Sequence, residues 1–191
     1  MKKRVKITYN APVIMSFTLA CFIVTIAGIV TGGRSIEVFF SCYRGSLTDL
    51  ISYIRLISHV FGHVSIEHFL GNVMFLLLVG PLLEEKYGSF MMLKIIFAVA
   101  LLTGVVHCIL FDLSSLCGAS GVVFACIVLS SFTAAKDGEI PLSFILVVAL
   151  YLGKEVYEGI MIQDNISNLS HILGGFVGGF AGFHLNKNVL R

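Results

Sequence analysis

The sequence predicts an all-α polytopic membrane protein with six transmembrane helices, and three observations predict it. Hydrophobic residues make up 57% of the 191-residue chain and charged residues only 13%, against about a half and a quarter in a soluble domain; the mean hydropathy is +0.96. The apolar residues gather into six runs that cross, or nearly cross, a hydrocarbon core of about 30 Å. The Lys and Arg residues between those runs fall unevenly on the two sides.

The first span is read over 11–31. The basic stretch Met1–Lys6 followed by an apolar run resembles the start of a signal peptide. The run from Ala11 to Val30 is about 20 residues, long enough to span, and no A-x-A cleavage site follows, so it is expected to remain as a helix. A long connection over 32–66 comes next. It mixes charges with Phe39, Phe40, Tyr43, Leu47, Leu50, Ile51, Tyr53, Ile54 and Leu56. A connection this apolar is expected to lie half embedded in the membrane interface.

The second span is read over 67–84, closing at Glu84-Glu85-Lys86, and the third over 90–111. The fourth, 120–135, closes at Lys136-Asp137. The fifth, 141–157, opens on Pro141, a residue suited to a first helical turn. The sixth is read over 170–186. All six form one membrane domain over 1–191, with no separate soluble domain expected.

Basic residues in short loops set orientation. With both termini inside, the inner side holds Lys2, Lys3, Arg4, Lys6, Lys86, Lys136, Lys187 and Arg191, and the outer side holds Arg34, Arg44 and Arg55. That distribution predicts N-in and C-in. The net charge of +2 is too small to suggest a nucleic-acid partner.

Three polar residues share one depth. Ser120 lies sixteen residues before Lys136, His171 sixteen before Lys187, and His68 sixteen before Glu84. At about 1.5 Å per residue each sits roughly 24 Å above a charged boundary, inside the bilayer near its outer face. Polar groups there are costly and point to function. The segment 112–118 must dip below the surface to reach Ser120, which irregular backbone does only when buried in protein or lining a wet cavity.

Gly118-Ala119-Ser120-Gly121 is the nucleophile candidate: the glycines permit a sharp turn into the helix, and the first N–H groups of that helix face developing negative charge. The same four residues also fit simple close packing of small residues. His171 is the candidate base. Gly174 and Gly178 share its helix face and would bring that helix close to a neighbour. No carboxylate accompanies His171 in its helix, so a Ser–His dyad is expected rather than a triad. Phe124, one turn from Ser120, would either stack on the imidazole or pack as an ordinary aromatic. His68 and Asn72, four residues apart on one helix face, would donate to an oxyanion or pair across helices.

His59, His63 and His68 are spaced so that a metal site is conceivable, but no HExxH accompanies them and none is expected. His107 and His184 have no partner legible in the sequence. The five cysteines lack CxxC spacing and read as packed thiols, with a Cys42–Cys117 disulfide the remaining option.

Taken together, Arg55, His59, His63, His68, Asn72, Glu84 with Gly88-Ser89, Gly118-Ala119-Ser120-Gly121, and His171 with Gly174 and Gly178 resemble the rhomboid intramembrane serine proteases, in their compact six-helix bacterial type. The resemblance runs from the long connection to the last span. It implies a rhomboid-like bundle with Ser120 as nucleophile and His171 as base. It also implies an oxyanion hole from His68, Asn72 and the Ser120 backbone, a structural Arg55, no cofactor, and substrates that are transmembrane segments of other proteins. The fifth span and the loop after it would gate entry. The chain departs from the family in having Ile54 where Trp is frequent and Phe124 where Tyr is frequent. It also begins almost directly at the first span, so no folded N-terminal domain is expected.

The function expected is intramembrane serine endopeptidase in a bacterial inner membrane. An inactive helix-binding relative is the alternative, and a small transporter or channel a further one, although no inverted repeat supports the latter.

Overall fold

The computed structural model describes residues 8–46, 48–133, 140, 142–161 and 165–186. The basic N-terminus, Leu47, the Lys136 boundary, Pro141 and Lys187 lie outside them. The chain is all-helical. Helix α1 spans Pro12–Val30, α2 Arg34–Phe39, α3 Leu50–Ser58, α4 Ile66–Tyr87, α5 Ser89–Leu110, α6 Ser120–Ser130, α7 Leu142–Met161 and α8 Asn165–Leu185. A 3-10 turn covers His59–Phe61. Helices α1, α4, α5, α6, α7 and α8 fall on the six expected spans, with α7 running to Met161 where 157 was expected and α8 beginning at Asn165 where 170 was expected. Among the described residues, α1, α4 and α5 are each long and apolar enough to cross a membrane alone. The chain is an integral membrane protein.

The burial pattern is that of a bundle in lipid. A core of Ile14, Leu76, Leu83, Met92, Val99, Val122, Cys126 and Leu129 sits between α1, α4, α5 and α6. The outward faces are also apolar: Phe22, Ile23, Ile26, Met74, Leu78, Leu82 and Phe97 are all exposed. In water a patch of that extent would drive association; against acyl chains it costs nothing.

The end of the fourth span differs from expectation. The α-helix stops at Ser130 and gives way to turns over 131–133, short of the expected end at 135. Three hydroxyls compete for the carbonyls there: Ser130 Oγ and Ser131 Oγ donate to Ile127 O, and Thr133 Oγ1 donates to Ser130 O. In the lead-in to the same helix, Ser114, Leu116 and Gly118 pair with protein groups, described below.

A buried acid organises the opposite end. Ala11, at the start of α1, has φ of 53° and no capping side chain. Glu84 near the end of α4 supplies the cap instead: its two oxygens accept from Val13 N and Ile14 N, each at 2.9 Å, and Ser89 Oγ donates to it at 2.6 Å. A carboxylate at a helix N-terminus satisfies orphan N–H groups and the helix dipole together. The residue that marked a boundary in the sequence is thus the joint between α1 and α4.

The first connection folds into α2, α3 and the 3-10 turn. Leu50, Tyr53 and Ile54 of α3 are exposed, whereas Arg55 is buried. Arg55 Nε donates to Val38 O at 2.7 Å, and its guanidinium stacks over the Tyr43 ring at 4.3 Å. It also reaches Asp49, the α3 N-cap, at 3.9 Å. An apolar outer face over an inward arginine is the arrangement expected of a half-embedded connection.

Candidate active site

Ser120 is the first residue of α6. The backbone that delivers it is held at four points. Leu116 exchanges two backbone bonds of 2.8 Å with Cys42. Gly118 N donates to His59 O at 3.0 Å, and Ala119 N donates to His63 Nε2 at 3.4 Å. His107 Nε2 donates to Ser114 O at 3.2 Å. Gly118 has φ of +132°, which side-chain-bearing residues rarely adopt, and a Cβ there would stand 2.8 Å from His68 Cε1. His68 therefore lies directly over the turn into α6.

Helix α8 meets α6 along a seam of small residues. A Cβ on Gly174 would fall 2.1 Å from Gly121 O, and one on Gly178 would fall 2.2 Å from Ala125 O. Among the described residues, the same faces make α6 and α8 the most closely packed helix pair. His171, one turn before Gly174, places its ring against Phe124, with centroids 4.5 Å apart and planes tilted by 36°. Phe124 is one turn along α6 from Ser120, so the imidazole of α8 and the hydroxyl of α6 occupy the same end of the seam. Ring stacking and backbone contact join the two helices here.

Asn72 is buried and its Nδ2 donates to His68 O at 3.1 Å. That bond uses one of its two amide hydrogens and leaves the other. His68 itself is placed by the start of α4, where Ser65 Oγ caps His68 N at 3.1 Å. The His68 and His171 side chains lie within electrostatic reach of each other.

His59 and His63 act as anchors for this loop, a role their spacing did not reveal. His59 Nδ1 donates to Arg55 O at 3.1 Å, and its Nε2 lies 3.2 Å from Thr103 Oγ1. His63 Nδ1 donates to Phe61 O at 3.2 Å while Nε2 accepts from Ala119. Those two bonds demand the neutral ring with its proton on Nδ1. Burial lowers both imidazoles from an ordinary value of 6.5 to about 4, and for His63 the neighbouring His68 adds to the effect. The His63 ring also packs edge-on against His68 at 5.0 Å. Among the described residues, no cluster of three His, Cys, Asp or Glu side chains has the geometry to hold a metal ion.

The sequence model of the Rhomboid domain matches residues 51–188, most of the chain. The chain belongs to the rhomboid family. Its relatives include the rhomboid protease GluP of Bacillus subtilis, 30% identical over 167 residues, which cover 85% of this chain and 31% of that protein. They also include the rhomboid protease GlpG of Yersinia pestis, 24% identical over 184 residues, covering 94% of this chain and 65% of that protein. The chain thus spans about a third of the one and just under two thirds of the other. The matched region of the rhomboid domain contains α4 to α8 and every residue of the candidate site.

Proposed function

We propose that this rhomboid domain is a serine endopeptidase that cuts transmembrane segments of other membrane proteins within the bilayer. The observation that carries it is the α6–α8 seam. It brings Ser120, half-buried at a helix start, and His171, stacked on Phe124, to one end of a backbone contact too close for any side chain. Two relatives named as rhomboid proteases support the same reading.

The chemistry is acyl transfer by a dyad. His171 takes the Ser120 proton as Oγ attacks the scissile carbonyl. The oxyanion is met by the Ser120 N–H at the helix start, by the His68 imidazole over Gly118, and by the remaining Asn72 amide hydrogen. His171 then protonates the leaving amine, and water deacylates Ser120. Gly118 and Gly121 keep the turn and the seam closed, and Arg55 holds the first connection against the bundle. The reaction as proposed uses no cofactor. A substrate helix hides its carbonyls in its own hydrogen bonds, so substrates with helix-weakening residues near the cut are favoured. The chain sits in a bacterial inner membrane with both termini inside and the site toward the outer face. Its other partners are the surrounding lipids, and α7 with the loop after it admits substrate.

Purified Ser120→Ala should lose cleavage of a tagged membrane substrate by about 10³-fold or more, with its melting temperature unchanged. It should also lose labelling by a fluorophosphonate. Undiminished cleavage by that variant would overturn the reading.

A further inference from the structure

Cys42 and Cys108 lie 66 residues apart in the chain, yet their sulfurs are 3.4 Å apart, and both thiols are free. The sequence reads the cysteines as packed thiols, as they are here, and Cys42–Cys117 was only the remaining option for a disulfide. The structure separates those two by direction: Cys42 faces Leu116 in an antiparallel bridge, so the next residue, Cys117, turns to the other side, toward Ser41.

The backbone fixes the Cys42–Cys108 approach from both ends. Cys42 N and O are both bonded to Leu116, and Cys42 Sγ reaches Gly104 O at 3.6 Å. Two residues further, Arg44 Nε donates to Cys108 O at 2.7 Å, Arg44 Nη2 donates to Ile109 O, and Arg44 pairs with Asp112. The segment 42–44 is therefore a strap across the end of α5. The sulfurs must close by about 1.4 Å to reach the ~2.05 Å bond.

Access is one-sided. Cys42 is fully buried, whereas Cys108 is half-buried and lines an open crevice of about 500 Å³ with Tyr43, Arg44, Tyr53, Leu56 and Ile109. Burial, and after it the neighbouring Cys108, holds the Cys42 thiol well above its ordinary range. An incoming reagent meets Cys108 first.

We propose that Cys42 and Cys108 form a reversible disulfide that fastens the first connection to the outer end of α5. The oxidant is a small or protein-borne disulfide. The Cys108 thiolate attacks one of its sulfurs and releases the other as a thiolate. Cys42 gives up its proton and attacks Cys108 Sγ, forming the Cys42–Cys108 bond and releasing the second thiolate. Two protein thiols lose two electrons and two protons; the external disulfide becomes two thiols. In the orientation proposed above, this end faces away from the cytosol, where disulfides persist. Through the Cys42–Leu116 pairing, the bond stiffens the segment that leads into Ser120. Its formation is independent of whether Ser120 is a nucleophile.

The test is the purified full chain in detergent micelles, treated with oxidised glutathione, alkylated in denaturant and mapped by peptide mass. The expected product is a Cys42–Cys108 linked peptide lighter by two hydrogens and restored by dithiothreitol. It is retained in Cys117→Ser, lost in Cys42→Ser and in Cys108→Ser, and accompanied by a higher melting temperature than the reduced chain. Free alkylation of both thiols after oxidation, a linkage through Cys117 instead, or an oxidised chain that melts no higher would overturn the proposal. The wild-type chain carries the main result, so misfolding of a variant does not blur it.

Discussion

Helices α6 and α7 follow one another in the chain and are held in opposite ways. Seven of the eleven α6 residues are buried, and its backbone touches α8 at Gly121 and Ala125. Helix α7 exposes Leu142, Ile145, Leu146 and Leu150. It meets the bundle through contacts such as Phe144 on Phe132, at 4.5 Å. Between α6, α7 and α8 lies an apolar cavity of about 450 Å³ lined by Val128, Phe144, Val148, Gly175, Phe176 and Phe180. Backbone-to-backbone contact fixes position to within tenths of an ångström; side-chain packing around a void sets no register. The candidate chemistry sits on the first kind of contact. The helix assigned to substrate entry has the second kind.

The strongest way to break this contrast is to put side chains into the seam. Gly174→Ala or Gly178→Ala places a Cβ against a carbonyl oxygen of α6 at little over 2 Å. The helices must part by about 1 Å, so the expected cost is about 3 kcal/mol or more, with loss of cleavage. Gly175→Ala and Gly179→Ala on the same helix meet only methyls of Val128 at 3.6 Å and should stay within about 0.5 kcal/mol. Thermal melts of the four variants in detergent decide it; four equal losses would show that the seam is no tighter than its surroundings.

Acid should loosen α6 selectively. His59 and His63 are neutral in the fold, with values near 4 against 6.5 when exposed. Between those values the unfolded chain binds more protons, so stability is full above about pH 6.5 and is lost as pH falls toward 4. A proton on His63 Nε2 would also turn a donor toward the Ala119 N–H and break that anchor. Melts at pH 7 and pH 5 should differ by about 4 kcal/mol for the two groups together, and His63→Gln should remove about half of the difference. An unchanged melt across that range would contradict buried neutral imidazoles.

The smallest effect is expected on α7. Leu150 is 75% exposed, and Leu150→Ala should change stability by less than about 0.5 kcal/mol. A large loss there would place α7 with α6 among the firmly held helices.

Much of this was legible because the membrane imposes simple rules. Apolar runs had to be helices, so six elements could be placed from composition and charge alone. Ser120, His68 and His171 were singled out as candidates by counting residues from charged boundaries, and the seam by the spacing of Gly174 and Gly178. Other features gave no local signal. Glu84 read as the polar end of a span and is the cap of α1, seventy residues earlier in the chain. His107 had no visible partner and holds Ser114. The cysteines read rightly as packed thiols, but that Cys42 lies beside Cys108 and not Cys117 was not legible, because an extended pair turns successive side chains to opposite faces.

By itself, the sequence determined that the chain is an all-helical membrane protein and which helix faces are small enough to touch, since each follows from period, length and hydropathy along one element. Only the tertiary structure decided which buried donors and acceptors meet. Most of those partners are far apart in the chain and are brought together by packing, and no local pattern records the match.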